Sequence, residues 1–295
     1  MKHKKSIIVL VCLIVVLSGI ACFAGLLLNN GTGEYEFQSI NNEIIKIFGK
    51  GLYKYDSVSV VAQGKASDFV TLVFAIPLLI ISLILSNKGS FRARLLLSGT
   101  LGYFLYTYMS YTFLWMYNPF FIVYVLLMSA SFFAFVLSIM SYDIKNIPSM
   151  FSEKLPVKFL GGFQFFLAFA IGMLWLSKIA PSIFNRSVPV GLEHYTTLVI
   201  QGMDLGLIVP TAILSGILLI RKKPFGYLLS SVIILKGITM LTAITAMIIN
   251  MVLSGVEINI IEVMIFSTFD LLAIVSMIIL LGNISKRGVI NYGVD

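Results

Sequence analysis

The sequence predicts an all-α integral membrane protein, a bundle of about eight transmembrane helices, on three observations. Hydrophobic residues make up 59% of the chain and charged residues 12%, where a soluble domain carries about 25% charged residues. Eight apolar stretches approach or exceed the roughly 20 residues that cross a hydrocarbon core. The lysines and arginines between them fall on alternate connections, with one exception. The connection 29–67 carries Lys46, Lys50, Lys54 and Lys65, balanced by Glu34, Glu36, Glu43 and Asp56, and long translocated loops are poorly constrained by charge. Each stretch reads as helix, because a segment facing lipid has to satisfy its own backbone hydrogen bonds. The 295 residues hold these spans as a single transmembrane domain, 1–295, with no room for a further soluble domain of ordinary size.

The first span is 6–28. Its basic start and the run Ser18-Gly-Ile-Ala-Cys22 also resemble a secretory signal with a lipoprotein-type cleavage box. The apolar run continues through Phe23 to Leu28, however, and full length favours retention as a helix. Cleavage would leave seven spans in the same orientation. The extracytoplasmic loop 29–67 follows, with Phe37, Ile40, Ile44, Ile47 and Phe48 at helical spacing and Gly49 behind them. It reads as an amphipathic helix, lying on the outer membrane surface or folded over the bundle as a cap. The remaining spans are 68–86, 95–115, 119–140, 159–178, 204–220, 227–250 and 260–281.

Counting eight spans places Lys2, Lys4 and Lys5, Lys88, Arg92 and Arg94, Lys145, Lys154 and Lys158, Arg221 to Lys223, and Lys286 and Arg287 on one side. The positive-inside rule makes that side cytoplasmic, with both termini inside. The net charge of +8 is thereby a matter of topology; the cations form no continuous face for nucleic acid. Cys12 and Cys22, ten residues apart on one helix, lie about 15 Å apart along its axis and cannot pair. His3 and His194 fall on opposite sides, so no metal or cofactor constellation is expected.

A faint internal repeat relates 6–140 to 159–281 as two parallel four-helix units. Placing Pro77 on Pro210 also brings Ser82 onto Ser215, Lys88 onto Arg221, Ser98 onto Ser231 and Tyr103 onto Lys236. Gln63-Gly64 and Gln201-Gly202 precede Asp68 and Asp204, which need a gap to align. Apolar sequence also aligns by chance, so duplication and coincidence both stand. Pro77 and Pro210 remove a backbone hydrogen bond inside their spans, a pointer to a transporter site and equally a tolerated packing feature.

Lys236 and Asp270 lie about 14 Å and about 16 Å from the cytoplasmic ends of consecutive spans at 1.5 Å per residue. A charge at that depth costs on the order of 3 kcal/mol, so Lys236 should face the bundle interior and find a partner, with Asp270 the obvious one. The pair reads either as a structural ion pair or as a substrate or proton site. Tyr103, Tyr106, Thr107 and Ser110 form a hydroxyl stripe on the third span. It lines a hydrated cavity opposite Lys236, Thr239 and Asp270, or it hydrogen-bonds between helices without a cavity. Tyr111, Trp115 and Tyr117 read as interfacial anchors. Asp68 and Asp204 read first as helix caps and second as site residues.

No hydrolase, zinc, phosphate-loop or thiol-redox signature occurs, and Glu193-His194 in an outer loop is too sparse to carry catalysis. Gly51-Leu-Tyr-Lys-Tyr-Asp-Ser57, Tyr117-Asn-Pro-Phe-Phe121 with Tyr124-Val125, Asp204-Leu-Gly-Leu-Ile-Val-Pro210 and Lys222-Lys-Pro-Phe-Gly-Tyr227 resemble segments of uncharacterised multi-pass membrane proteins of bacteria. That resemblance implies a bacterial inner-membrane setting and no activity. The expectation is a non-enzymatic, permease-like protein moving a small solute or ion through a polar site between helices. The alternative is a non-transporting accessory or sensory component that meets a protein partner through its outer loop.

Overall fold

The computed structural model describes residues 3–285; Lys2, Lys286 and Arg287 of the charge pattern lie outside them. Eight long helices follow one another: α1 (Lys4–Leu27), α2 (Val58–Asn87), α3 (Phe91–Phe113), α4 (Phe121–Met140), α5 (Val157–Asn185), α6 (Val199–Ile220), α7 (Pro224–Leu253) and α8 (Ile260–Gly282). Seven of them are long and apolar enough to cross a membrane. The exception, α3, carries the hydroxyl stripe and is the most enclosed helix, with Arg94, Ser98, Thr100, Tyr103 and Thr107 all buried.

Helix ends follow the local chemistry. Ser57 Oγ accepts from Val60 N–H and Ser90 Oγ from Ala93 N–H, capping α2 and α3, while Asn259 caps α8 through Ile261 N–H. Such caps satisfy backbone donors that a helix start leaves without partners. α2 begins ten residues before the predicted span at 68 and α6 five residues before the one at 204, so Asp68 and Asp204 are interior helix residues and not caps. The prolines are accommodated without a break. The N–H of Ile76 reaches Thr71 O, and that of Val209 reaches Asp204 O, closing five-residue π turns at Thr71–Ala75 and Asp204–Ile208 just ahead of Pro77 and Pro210. A wider turn relieves the clash of the proline ring with the preceding turn of helix.

The first four helices close a ring, α1 against α2 and α4, and α3 against α2 and α4. In the second four, α5 packs on α6, α6 on α7 and α7 on α8, while α8 returns to α5 only sparsely. The two groups meet where α7 packs along α2 and α3. A Cβ on Gly99 of α3 would stand 2.6 Å from Leu235 Cβ and 3.0 Å from Lys236 N, so the missing side chain sets how closely α3 and α7 approach.

The loop between α1 and α2 corrects an expectation. It holds a β-hairpin, β1 (Tyr35–Gln38) and β2 (Ile44–Ile47), antiparallel with Tyr35 opposite Ile47 and Gln38 opposite Ile44, and not an amphipathic helix. Ser39-Ile-Asn-Asn supplies turn formers in the middle of the supposed helix; Ser39 Oγ accepts from Asn41 and Glu43 N–H, and Asn42 takes φ 63°. Period-two burial then sends Ile45 and Ile47 inward and leaves Ile44 outside. Gly49, at φ 70°, passes so close to Gly33 that any side chain would strike its carbonyl.

Candidate functional site

A cavity of about 1060 Å³ lies between the two helix groups, lined by α3, α5, α6, α7, α8 and the start of α2. It runs from the loops at the hairpin end, where Glu193 and Glu257 border it, down to Phe163, Val232 and Ala273. Beyond those residues the opposite end is filled by Phe91, Tyr142, Ile147, Phe151, Leu155, Tyr227 and Ile284, one continuous buried cluster. There Phe151 pairs with Ile284, and Arg92 donates to Ile284 O, tying the α4–α5 connection and α3 to the end of α8.

Lys236, on α7, is on the cavity wall. Its Nζ stands 4.0 Å from the centre of the Tyr106 ring, a cation–π contact that stabilises a charge withdrawn from water. Tyr106 OH donates to Asp204 Oδ1 at 2.7 Å, and Trp175 Nε1 donates to Asp204 Oδ2 at 2.8 Å. Three helices therefore hold Asp204: α6 carries it in its π turn, while α3 and α5 each give one donor. Between Lys236 and Asp204 stands Tyr106, its ring face toward the cation and its hydroxyl on the anion. Nearer the hairpin end, Lys178 of α5 and Glu262 of α8 make an ion pair at 2.7 Å, the one pair within bonding range among the described residues.

The predicted Lys236–Asp270 pair does not form. Asp270 Oδ2 accepts from Thr245 Oγ1 at 2.6 Å and lies outside the cavity wall. Thr245 lies nine residues along α7 from Lys236, about 14 Å at 1.5 Å per residue, so Asp270 stands nearer the hairpin end and not at the height of Lys236. The hydroxyl stripe divides between cavity and core. Only Tyr106 reaches the cavity; Tyr103 OH shares a 2.7 Å hydrogen bond with Thr71 Oγ1, Thr107 is buried, and Thr239 turns back to Leu235 O. The shift that places Pro77 on Pro210 superposes the two π turns and puts Thr71 on Asp204 and Tyr103 on Lys236. The first group of helices thus holds a neutral pair where the second holds opposite charges.

Asp68 has a different environment from Asp204. It is 3% exposed and accepts from Tyr53 OH at 2.6 Å and Tyr111 OH at 2.9 Å. Trp115 packs on both tyrosines at 4.3 and 4.8 Å. A Cβ on Gly25 of α1 would collide with Asp68 and Tyr53, so that glycine makes the space they occupy. Tyr111 is therefore a core residue and Trp115 packs half-buried against the same core, where interfacial anchors were expected; Tyr117 is 76% exposed.

Sequence reasoning missed Trp175, Lys178, Glu262 and the primary role of Asp204. A tryptophan inside an apolar span was the available signal for the first, since its N–H requires a partner. Also missed was the link between the α5–α6 connection and the hairpin segment. Asp56, 1% exposed, accepts from Tyr195 OH and Met116 N–H, both at 3.0 Å, and His194 Nε2 meets Tyr55 O at 3.0 Å. Burial pushes the Asp56 carboxyl up to about 7.

No family model, curated protein or solved structure matches the chain.

Proposed function

We propose that the protein is a permease-like membrane protein that moves a small solute through the cavity between two parallel four-helix repeats. In this reading all eight helices cross a bacterial inner membrane, α3 included because its polar side is enclosed by its neighbours. The hairpin faces outward and both termini are cytoplasmic. The observation that carries the reading is the cavity itself, open toward the hairpin-end loops, closed at the other end, and holding Lys236 and Asp204 inside the helix bundle. Intramembrane charges of this kind cost too much to be kept on a lipid face, and here they border an enclosed space. Matching π turns and prolines in α2 and α6, aligned without a gap, support the repeat and fit the interrupted helices that border transporter sites.

Alternating access supplies the test, and it requires no known substrate. With Cys12 and Cys22 replaced by serine, Met240→Cys puts one thiol on the cavity wall. A permease exposes that thiol in turn to each side, so a membrane-impermeant maleimide added to either face of sealed vesicles of defined orientation should label it. Labelling from the hairpin side alone contradicts transport. The accessory reading is favoured by one observation, the exposed apolar residues Ile40 and Ile44 on the hairpin, 94% and 71% exposed. It predicts one-sided labelling, together with loss of a bound protein partner on replacing Ile40 and Ile44 by serine.

A further inference from the structure

The charges on the cavity wall point to the class of solute, an inference that rests on reading the cavity as a solute site. Lys236 and Asp204 form a split pair. Tyr106 occupies the space through which they would otherwise approach, engaging the ammonium at 4.0 Å from its ring centre and the carboxylate at 2.7 Å from its hydroxyl. Each Asp204 oxygen takes one donor, from Tyr106 and from Trp175, and a carboxylate oxygen has room for a second. Lys236 faces the same space with three N–H donors and no ion-pair partner among the described residues.

One charge of each sign, fixed on one wall and kept from neutralising each other, leaves an anion-seeking and a cation-seeking position side by side. A ligand with a single charge would satisfy one and leave the other unmatched in a low-dielectric space, where the unmatched charge is costly. Around the pair the wall is apolar, with Leu105, Met109, Leu174, Met240, Ile244 and Met247. We infer that the site takes a zwitterion with an apolar body, its anionic group on Lys236 and its ammonium on Asp204. An amphipathic amino acid has this chemistry, and so does the head of a zwitterionic lipid.

The test compares ligands that share one body. Phenylalanine, phenylpropionate and phenethylamine differ only in which charges they carry, and dihexanoyl phosphatidylethanolamine against dihexanoyl phosphatidylglycerol poses the same contrast for a lipid source. Binding to the purified full-length protein in uncharged detergent is followed by tryptophan fluorescence, since Trp175 sits on Asp204. The expected result is that phenylalanine binds at least about tenfold more tightly than either single-charge analogue, the worth of one charged hydrogen bond. If phosphatidylethanolamine binds selectively and phenylalanine does not, the zwitterion is a lipid head and the inference holds. Lys236→Met should transfer the preference to phenethylamine, and Asp204→Asn should transfer it to phenylpropionate. A merely structural role for the pair would weaken all ligands alike.

The inference is overturned if a single-charge analogue matches its zwitterion, if neither zwitterion binds, or if the folded variants keep the wild-type ranking. Should a variant fail to fold, the wild-type ranking alone still decides. Selectivity is read at equilibrium on one protein and two-sided labelling is read without ligand, so this proposal and the permease reading fail separately.

Discussion

At the scale of single residues, the residue that needs a partner was legible and the partner was not. Lys236 stood out in the sequence because a lysine deep in an apolar run must find compensation, and it does border the cavity. Its partner was misjudged, because Asp270 meets Thr245, nine residues further along α7, while Asp204, read first as a cap, shares its wall. Outside the helices, Asp56 gives a prediction with a definite sign. Burial raises this carboxyl from 3.8 to about 7, so the folded protein holds a proton that the unfolded chain releases. Stability contributed at low pH is therefore lost as pH rises from about 4 to about 7 and stays lost above that, by on the order of a few kcal/mol. Asp56→Asn should flatten the fall in thermal midpoint between about pH 4 and about pH 7. Glu193, raised by burial, titrates in the same sense and His194, lowered by burial, in the opposite one; both remain in the variant, so only the part of the slope that disappears belongs to Asp56. An unchanged slope would show that Asp56 is not the group that titrates.

At the scale of elements, the helices were legible because lipid leaves a long apolar segment one way to satisfy its backbone. The hairpin was not, because five apolar residues at helical spacing also fit a turn flanked by strands, and the turn chemistry of Ser39 to Asn42 decided between them. The π turns were equally hidden, since proline announces a disturbance without saying whether the helix kinks or widens. They are consequential here. A π turn adds one residue to the helix, so deleting Leu207 should restore α-geometry and rotate Asp204 by about 100° relative to the rest of α6. The expected outcome is a folded protein with zwitterion binding reduced at least about tenfold; unchanged binding would separate Asp204 from the site. At the α3–α7 crossing, Gly99→Leu would place a side chain where a Cβ already meets Leu235 at 2.6 Å. Overpacking of this kind costs about 1–3 kcal/mol, and a lowered thermal midpoint with Lys236 displaced from Tyr106 is expected. No change in melting would mean that the helices are not held at this distance.

For the whole molecule, composition and charge already implied a membrane bundle, and seven of the eight helices meet that expectation by length and apolarity. What one sequence left hidden is how the two groups of four helices meet, because that depends on which face each helix turns to its neighbour. Their seam, α7 against α2 and α3, leaves the cavity on one side. Its closed end is packed with aromatic and aliphatic side chains from both groups, and its other end is bordered by loops and by the Lys178–Glu262 pair. Rocking about the α7 seam would open one end as it closes the other. Spin labels test this most directly. Tyr117 and Leu253, 76% and 79% exposed at the hairpin end, form one pair across the two groups; Lys88 and Arg221, both exposed at the opposite end, form the other. Each is replaced by cysteine in a background without Cys12 and Cys22, and distances are measured by pulsed electron resonance in lipid with and without phenylalanine. Alternating access predicts two distance populations for each pair, with ligand shifting the two ends in opposite senses. A single narrow distance at both ends under every condition would contradict it.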